Sequence, residues 1–235
     1  MSFVLKLSGN TSVLKANYFP PIILDGEFEV AVISMETWNS IANITSKNNK
    51  FYYDQNREIT IPEGSYEISD IEKYLARQLK AEHVKHPIAD FGEEAIILEG
   101  NHSTFKTEIL CRYAIDFTKP DNIGSILGFD KVVLEPFKRH ESTGLIKILT
   151  VEALPVECNL ITNSFSNSKR SRDLYSCSLD EPPGYKIHDT PKNLLYLPVT
   201  VREITEIELR LVDQDGNLVD LRGELTTIRL HLRKT

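Results

Sequence analysis

Two histidines near the end of a helical pattern are the first residues whose spacing could bind a metal. His83 and His86 stand three residues apart, so a helix would place both imidazoles on one face. A structural or catalytic zinc site needs at least three protein ligands, and the sequence places no third ligand beside this pair. We interpret the two histidines as a solvated helix end and predict no metal site.

Three aspartates near the C-terminus resemble a calcium-binding loop at first sight. They are Asp213, Asp215 and Asp220, but Gly216 directly follows the second aspartate. An EF-hand loop needs its glycine at the sixth position, so the pattern fails. The Asp-Gly pair instead predicts the turn of a β-hairpin, because both residue types tolerate a positive φ angle.

Candidate catalytic groups are few and scattered. His188, Asp189 and His231 would serve a hydrolase only if the fold brought them together inside one sheet. The neighbouring acids Glu93 and Glu94 have no identifiable partner for general acid and base work. The phosphate-binding, dinucleotide, HExxH and GxSxG patterns are missing from the sequence. We predict no catalytic residue, no cofactor and no enzyme, with a hydrolase on a β scaffold as a weaker alternative.

One basic cluster could contact nucleic acid or an acidic partner. It comprises Lys169, Arg170 and Arg172, and the run at 138–140 is a weaker second cluster. Short charge runs usually mark solvated loops, so any such contact would be local. Trp38 follows an apolar strand pattern and is interpreted as a core or interface anchor.

The composition excludes several broad classes of protein. The chain has 235 residues, 41% of them hydrophobic, and 27 basic against 34 acidic residues leave a net charge of −7. A dedicated nucleic-acid binder would need a basic face. No apolar run has the length of a membrane span. The N-terminal residues lack a charged leader and a long apolar core, so we expect a chain that is not secreted through a signal peptide.

Strand patterns recur from end to end. The clearest are 206–212 and 226–233, which alternate apolar and polar residues as half-buried antiparallel strands do. Alternation or a continuous apolar run predicts further strands at 27–34, 58–61, 112–117, 145–151, 156–161 and 218–221. Pro155 is predicted to mark a break or an edge. The polar stretches 162–172 and 180–184 are predicted to be loops.

Two short helices interrupt the strands. Ser69 and Glu72 have the spacing of a capping box, and the apolar stripe Ile71, Leu75 and Leu79 follows, which predicts a helix over about 69–82. A second helix is predicted over about 121–128, capped by Asp121 or Asn122 and ended by Gly128. The pattern therefore indicates a mostly β chain, an antiparallel β-sandwich or jelly roll with two short inserted helices.

Several segments together resemble a known family. The sequence between residues 58 and 233 is similar to the penton (minor capsid) proteins of Polinton (Maverick) elements, adintoviruses and virophages. The matching segments are Ile61–Glu72, Ile123–Phe129, Val156–Ile161, Gly184–Ile187, Leu197–Val199 and the run from Ile204 to Leu232.

The resemblance implies a structural role in a virion. It implies a homopentamer at the fivefold vertices of an icosahedral capsid, in contact with a double jelly-roll major capsid protein. It also implies one jelly-roll domain over 26–235, preceded by an N-terminal arm or first strand over 1–25. The chain is short for this group, so no outer receptor-binding head is expected.

A binding module is the main alternative to the capsid role. A host-domesticated β-sandwich, lectin-like or protein-binding, would have a similar strand pattern. It would be a monomer or dimer with a ligand pocket, whereas a penton would contain five subunits.

Overall fold

The computed structural model describes residues 1–85, 95–148, 151, 153–162, 164–166 and 169–235. The first strands are β1 (Ser2–Gly9), β2 (Val13–Ile23) and β3 (Phe28–Trp38). Next come β4 (Lys50–Tyr53), β5 (Arg57–Thr60), α1 (Ile68–Lys85), β6 (Ile96–Asn101), β7 (Lys106–Cys111), β8 (Ile115–Asp116), α2 (Gly124–Leu127), β9 (Val133–Leu134) and β10 (Arg139–Glu141). The last are β11 (Ala153–Cys158), β12 (Ser164–Ser166), β13 (Lys169–Ser171), β14 (Asp173–Ser178), β15 (Lys186–Asp189), β16 (Leu197–Pro198), β17 (Glu203–Leu211) and β18 (Thr226–Lys234).

The chain forms two compact units. Unit 1 combines residues 1–41 with 151–235, and unit 2 comprises residues 42–150. In chain order, unit 2 is therefore inserted between β3 and β11. The expected division into residues 1–25 and a single domain over 26–235 stays a prediction.

Unit 1 is an antiparallel β-sandwich of the jelly-roll type, which confirms the predicted fold class. One sheet has the order β1-β18-β3-β15, with β16 added beside β3, and the other has the order β14-β11-β17-β2. Alternate side chains of both sheets meet in one apolar core, because successive residues of a strand point to opposite faces. Leu7 of β1 and Leu14 of β2 are buried in this core, so the N-terminal segment supplies two strands.

Unit 2 has its own core, between two small sheets and two helices. The sheets have the orders β10-β7-β6 and β5-β4-β8-β9. Helix α1 buries Ile71, Leu75 and Leu79, so the predicted apolar stripe is confirmed. Gly128 ends α2 with a φ of 77°, in the left-handed region that the prediction required.

The predicted capping box of α1 is wrong. The helix begins at Ile68, one residue before Ser69, and Asp70 accepts the backbone N–H of Glu67 at 3.4 Å. The Glu72 carboxylate instead accepts the backbone N–H of Leu98 at 3.1 Å. Glu72 therefore accepts a hydrogen bond from the edge of β6, and Asp70 is the acidic residue that accepts a backbone N–H at the start of the helix. At α2, no side chain caps Ile123, although Asn122 accepts the backbone N–H of Gly124 at 2.8 Å.

Five strand and loop assignments also differ from the sequence prediction. Of 112–117 only Ile115–Asp116 is a strand, and 145–148 is not a strand because its amides bond outside any ladder. Pro155 lies inside β11, opposite Ser176, rather than at a break. The predicted loop 162–172 contains the β12–β13 hairpin. Residues 218–221 form one isolated bridge, between Val212 and Leu218.

Candidate functional site

The segment around Asp213 and Gly216 forms the predicted hairpin turn. The Asp213 carboxylate accepts the backbone N–H groups of Asp215 and Asn217, each at 2.9 Å, and Gly216 has a φ of 83°. Burial pushes the pKa of Asp213 upward, but the hydrogen bonds from Asn217, Asp215 and Gly216 outweigh it and lower the pKa. The oxygens that would bind a cation are thus occupied by the turn itself.

The three candidate hydrolase residues lie with separate partners. His188 is exposed on β15, 3.9 Å from Glu36, whereas Asp189 accepts the hydroxyl of Tyr175 at 2.6 Å. His188 and Asp189 are consecutive in an extended strand, so their side chains point to opposite faces. His231 Nδ1 lies 2.7 Å from the Tyr196 hydroxyl. The structure therefore does not bring the three residues together.

The metal candidates fall partly outside the described residues. His83 belongs to α1, while its partner candidate His86 lies outside the described ranges. The paired acids Glu93 and Glu94, considered above for acid and base work, also lie outside them. Within those ranges, no three His, Cys, Asp or Glu side chains are grouped as a metal site requires. Likewise, no described helix has the length and apolar character needed to cross a membrane.

The basic cluster lies on and beside the β12–β13 hairpin. Lys169 pairs with Ser166 and Arg170 with Phe165 across the hairpin, and Arg172 follows directly. Arg170 and Arg172 are exposed, and neither forms an ion pair in the part of the chain that the structure describes. Arg170 lies in β13, and Arg172 lies between β13 and β14. They are available for an anionic partner.

The weaker basic run and Trp38 have partners within their own units. Arg139 contacts Glu108 at 2.7 Å and Glu99 at 3.3 Å, so its charge is neutralised on the surface of unit 2. Trp38 ends β3, is half-buried, and lies opposite Lys186 of β15. It belongs to the sheet of unit 1 without entering the buried core.

The sequence prediction missed a groove in unit 2. It has a volume of about 750 Å³ and lies beside Gly100, near the end of β6. The signal was a glycine inside an apolar strand pattern, which often marks the close approach of another backbone.

The architecture belongs to the class of antiparallel jelly-roll sandwiches, here with an inserted unit of mixed α and β structure. Among solved structures, the chain is similar to a crystal structure of the selenomethionine-labelled mavirus penton protein. That similarity has a TM-score of 0.51 at 11% sequence identity and covers 100% of both chains. At this identity the likeness shows the shared fold. No protein-family model matches the chain, and no curated protein matches its sequence.

Proposed function

We propose that this chain is a structural capsid protein, a penton that assembles as a homopentamer at the fivefold vertices of an icosahedral particle. The supporting observation is the similarity to the mavirus penton protein, which covers 100% of both chains. The expected partner is a double jelly-roll major capsid protein, and the expected location is the virion. Membership of the Polinton or adintovirus groups stays a prediction from the sequence.

The surface of unit 1 is suited to contacts between copies. Several large apolar side chains are exposed there, including Phe19 at 100%, Leu195 at 67% and Ile23 at 65% exposure. We propose that neighbouring copies cover these side chains, which removes their apolar surface from water. Five identical subunits close into a ring when one flank of each binds the opposite flank of the next.

Size-exclusion chromatography with light scattering tests the pentamer. We expect a mass of five subunits over a range of protein concentrations. A mass of one or two subunits at every concentration would contradict the pentamer and favour a binding module. Coexpression with a double jelly-roll capsid protein then tests vertex placement, because a penton should copurify with closed shells.

We also propose that the basic cluster makes a local contact with nucleic acid. The test replaces Lys169, Arg170 and Arg172 together by serine. Fluorescence polarisation of a labelled single-stranded DNA, measured at several salt concentrations, is the readout. We expect weaker binding and a salt slope lower by about 0.7 for each phosphate contact that is lost.

A matched control removes three positive charges elsewhere. Lys47, Lys131 and Lys192 are exposed, so serine at these positions changes the net charge equally. Equal loss of DNA binding in both triple variants would contradict a specific role for the cluster.

A further inference from the structure

The groove of unit 2 lies between three backbone segments. One is the first turn of α1, the second is the outer edge of β6, and the third is the segment 146–148. Its lining residues are Glu67, Ile68, Ser69, Glu72, Leu98, Glu99, Gly100, Asn101, His102, Phe105, Ile146 and Ile148. All of them belong to unit 2.

The backbone of Gly100 faces this groove. Gly100 lies opposite Thr107 of β7. The Thr107 N–H donates to Ser142 Oγ at 3.0 Å, and the Ser142 N–H donates to the Thr107 carbonyl at 2.8 Å. Both backbone groups of Thr107 therefore point away from β6, which makes this a non-hydrogen-bonded antiparallel pair. In such a pair the N–H and C=O of Gly100 point to the other edge of β6.

The same edge is already partnered two residues earlier. Leu98 has the same orientation as Gly100, and its N–H donates to the Glu72 carboxylate. The side chain of Glu72 thus occupies the place that a neighbouring strand would take at Leu98. Among the described residues, none pairs with Gly100 at this edge, which leaves a short unpaired stretch of strand.

Isoleucines flank the open position. A Cβ atom on Gly100 would lie 3.3 Å from Ile68 Cδ1 and 3.3 Å from Ile146 Cδ1. Glycine therefore lets these two side chains pack directly against the backbone of β6, and a side chain at this position would have to displace them. Phe105, which is 65% exposed, adds a further apolar wall.

Hydrogen bonds hold the groove walls in place. Asn43 is buried, and its amide donates to the carbonyl of Tyr66 at 2.7 Å and to that of Ile148 at 3.2 Å. The Tyr66 N–H donates back to Asn43 at 3.0 Å. The Ile146 N–H donates to the Phe105 carbonyl at 2.9 Å. One buried amide thus connects the start of α1 to the segment 146–148, and the groove is preformed.

The charges of the groove have one sign. Glu67, Glu72 and Glu99 line it, and no lysine or arginine is among its lining residues. Arg139 contacts Glu99 but lies outside the lining. A ligand with positive charges beside an apolar anchor would complement this surface.

We propose that the groove binds an extended peptide segment of a partner protein. The segment pairs with the N–H and C=O of Gly100, packs an aliphatic side chain against the apolar wall that Ile68, Ile146 and Phe105 form, and directs a lysine or arginine to Glu67. This is recognition by addition of a strand to a sheet edge. The proposal does not depend on the capsid role, since every group it uses belongs to unit 2.

The test uses the full chain and a labelled seven-residue peptide that alternates lysine and valine. Two matched peptides vary one feature each: the first carries N-methyl groups on alternate backbone nitrogens, and the second has glutamate in place of lysine. Fluorescence polarisation gives the three dissociation constants. We expect both changes to weaken binding about tenfold or more, because one removes the strand hydrogen bonds and the other reverses the charge.

Variants of the protein locate the binding site. Gly100→Val places its Cβ only 3.3 Å from the Cδ1 atoms of Ile68 and Ile146 and so displaces the apolar wall, and we expect it to weaken binding of the lysine–valine peptide about tenfold. Glu67→Gln should weaken binding about twofold to fivefold at low salt. Glu224→Gln is the matched control, because Glu224 is exposed in unit 1 and should leave the affinity unchanged.

Several results would overturn the proposal. One is an N-methylated peptide that binds as tightly as its parent. Another is a folded Gly100→Val variant with unchanged affinity for the lysine–valine peptide. The third is an equal loss of peptide affinity in Glu67→Gln and Glu224→Gln. Circular dichroism checks the fold of each variant. If Gly100→Val does not fold, the peptide comparison and the two glutamine variants still test whether the groove binds the peptide.

Discussion

The hydroxyl groups of Thr37 and Thr226 lie 2.7 Å apart and bond to each other inside unit 1. Both residues are fully buried, on the neighbouring strands β3 and β18. A buried hydroxyl that loses its partner keeps the cost of leaving water without the compensating bond. This pair therefore couples two strands of the jelly roll.

The threonine pair predicts a non-additive mutant cycle. Thr37→Val or Thr226→Val alone should lower the free energy of unfolding by about 1–3 kcal/mol. Valine keeps the shape of the side chain but leaves the hydroxyl of the other threonine without its partner. The double variant should lose less than the sum of the two single losses, because no hydroxyl is left unpaired. Urea denaturation gives all three values, and additive losses would show that the bond carries no coupling.

The same substitution should lower stability strongly at one leucine of unit 2 and hardly at all at another. Leu75 is fully buried in α1, so Leu75→Ala should cost about 2–5 kcal/mol through lost contacts and a residual cavity. Leu145 is 56% exposed, so Leu145→Ala should stay within about 0.5 kcal/mol of the parent. Chemical denaturation measures both, and similar losses would contradict the placement of α1 against the core.

Glu36 predicts a pH-dependent contribution to stability. The hydrogen bond from Lys186 is the largest cause that lowers the pKa of Glu36, and His188 and Arg229 act in the same direction. A carboxyl whose pKa is lowered by folding stabilises the protein above its ordinary pKa. That contribution disappears as the pH falls through the lower folded-state pKa.

The measurement is the melting temperature of Glu36→Gln against pH. The variant should melt below the parent at neutral pH, and the difference should close as the pH falls from about 5 to about 3. The same substitution at Glu224, an exposed glutamate, should give no such closing gap. A constant difference at every pH would contradict the assignment.

The three cysteines are predicted to be unreactive in the folded protein. Burial raises the pKa of Cys111 and Cys158 to about 11 and that of Cys177 to about 12, so their thiolate fractions are small at pH 8. A coloured thiol reagent should therefore label none of them within the time in which it labels all three in denaturant. Fast labelling of the native protein would contradict their burial.

Much of the fold could be predicted from side-chain periodicity. The stripe of Ile71, Leu75 and Leu79 predicts α1, and the alternation in 206–212 and 226–233 predicts β17 and β18, because burial of one face fixes these patterns. The β12–β13 hairpin was missed because five of its six strand residues are polar, and its pairing therefore leaves no apolar pattern. The segment 145–148 alternates like a strand, but its amides bond to Phe105 and Ile126 outside a ladder.

The groove could not be predicted because it depends on register. The N–H of Gly100 can point either toward β7 or toward the groove. Its partner Thr107 decides this, because the backbone groups of Thr107 bond to Ser142. A shift of one residue would reverse the edge that each N–H faces. Sequence periodicity shows that a strand exists, but it does not show which residue lies opposite which.

Gly128 has a consequence for tracing the ancestry of this chain. Its φ of 77° disfavours any side chain, and a Cβ atom there would come within 2.4 Å of the carbonyl oxygen of Gly144. Any substitution would therefore meet both backbone strain and a collision with main-chain atoms, which cannot rotate away as a side chain can. We therefore expect glycine to be kept at this position in homologues. A glycine after a short helix would then be a fixed reference point for aligning distant homologues whose other positions have diverged.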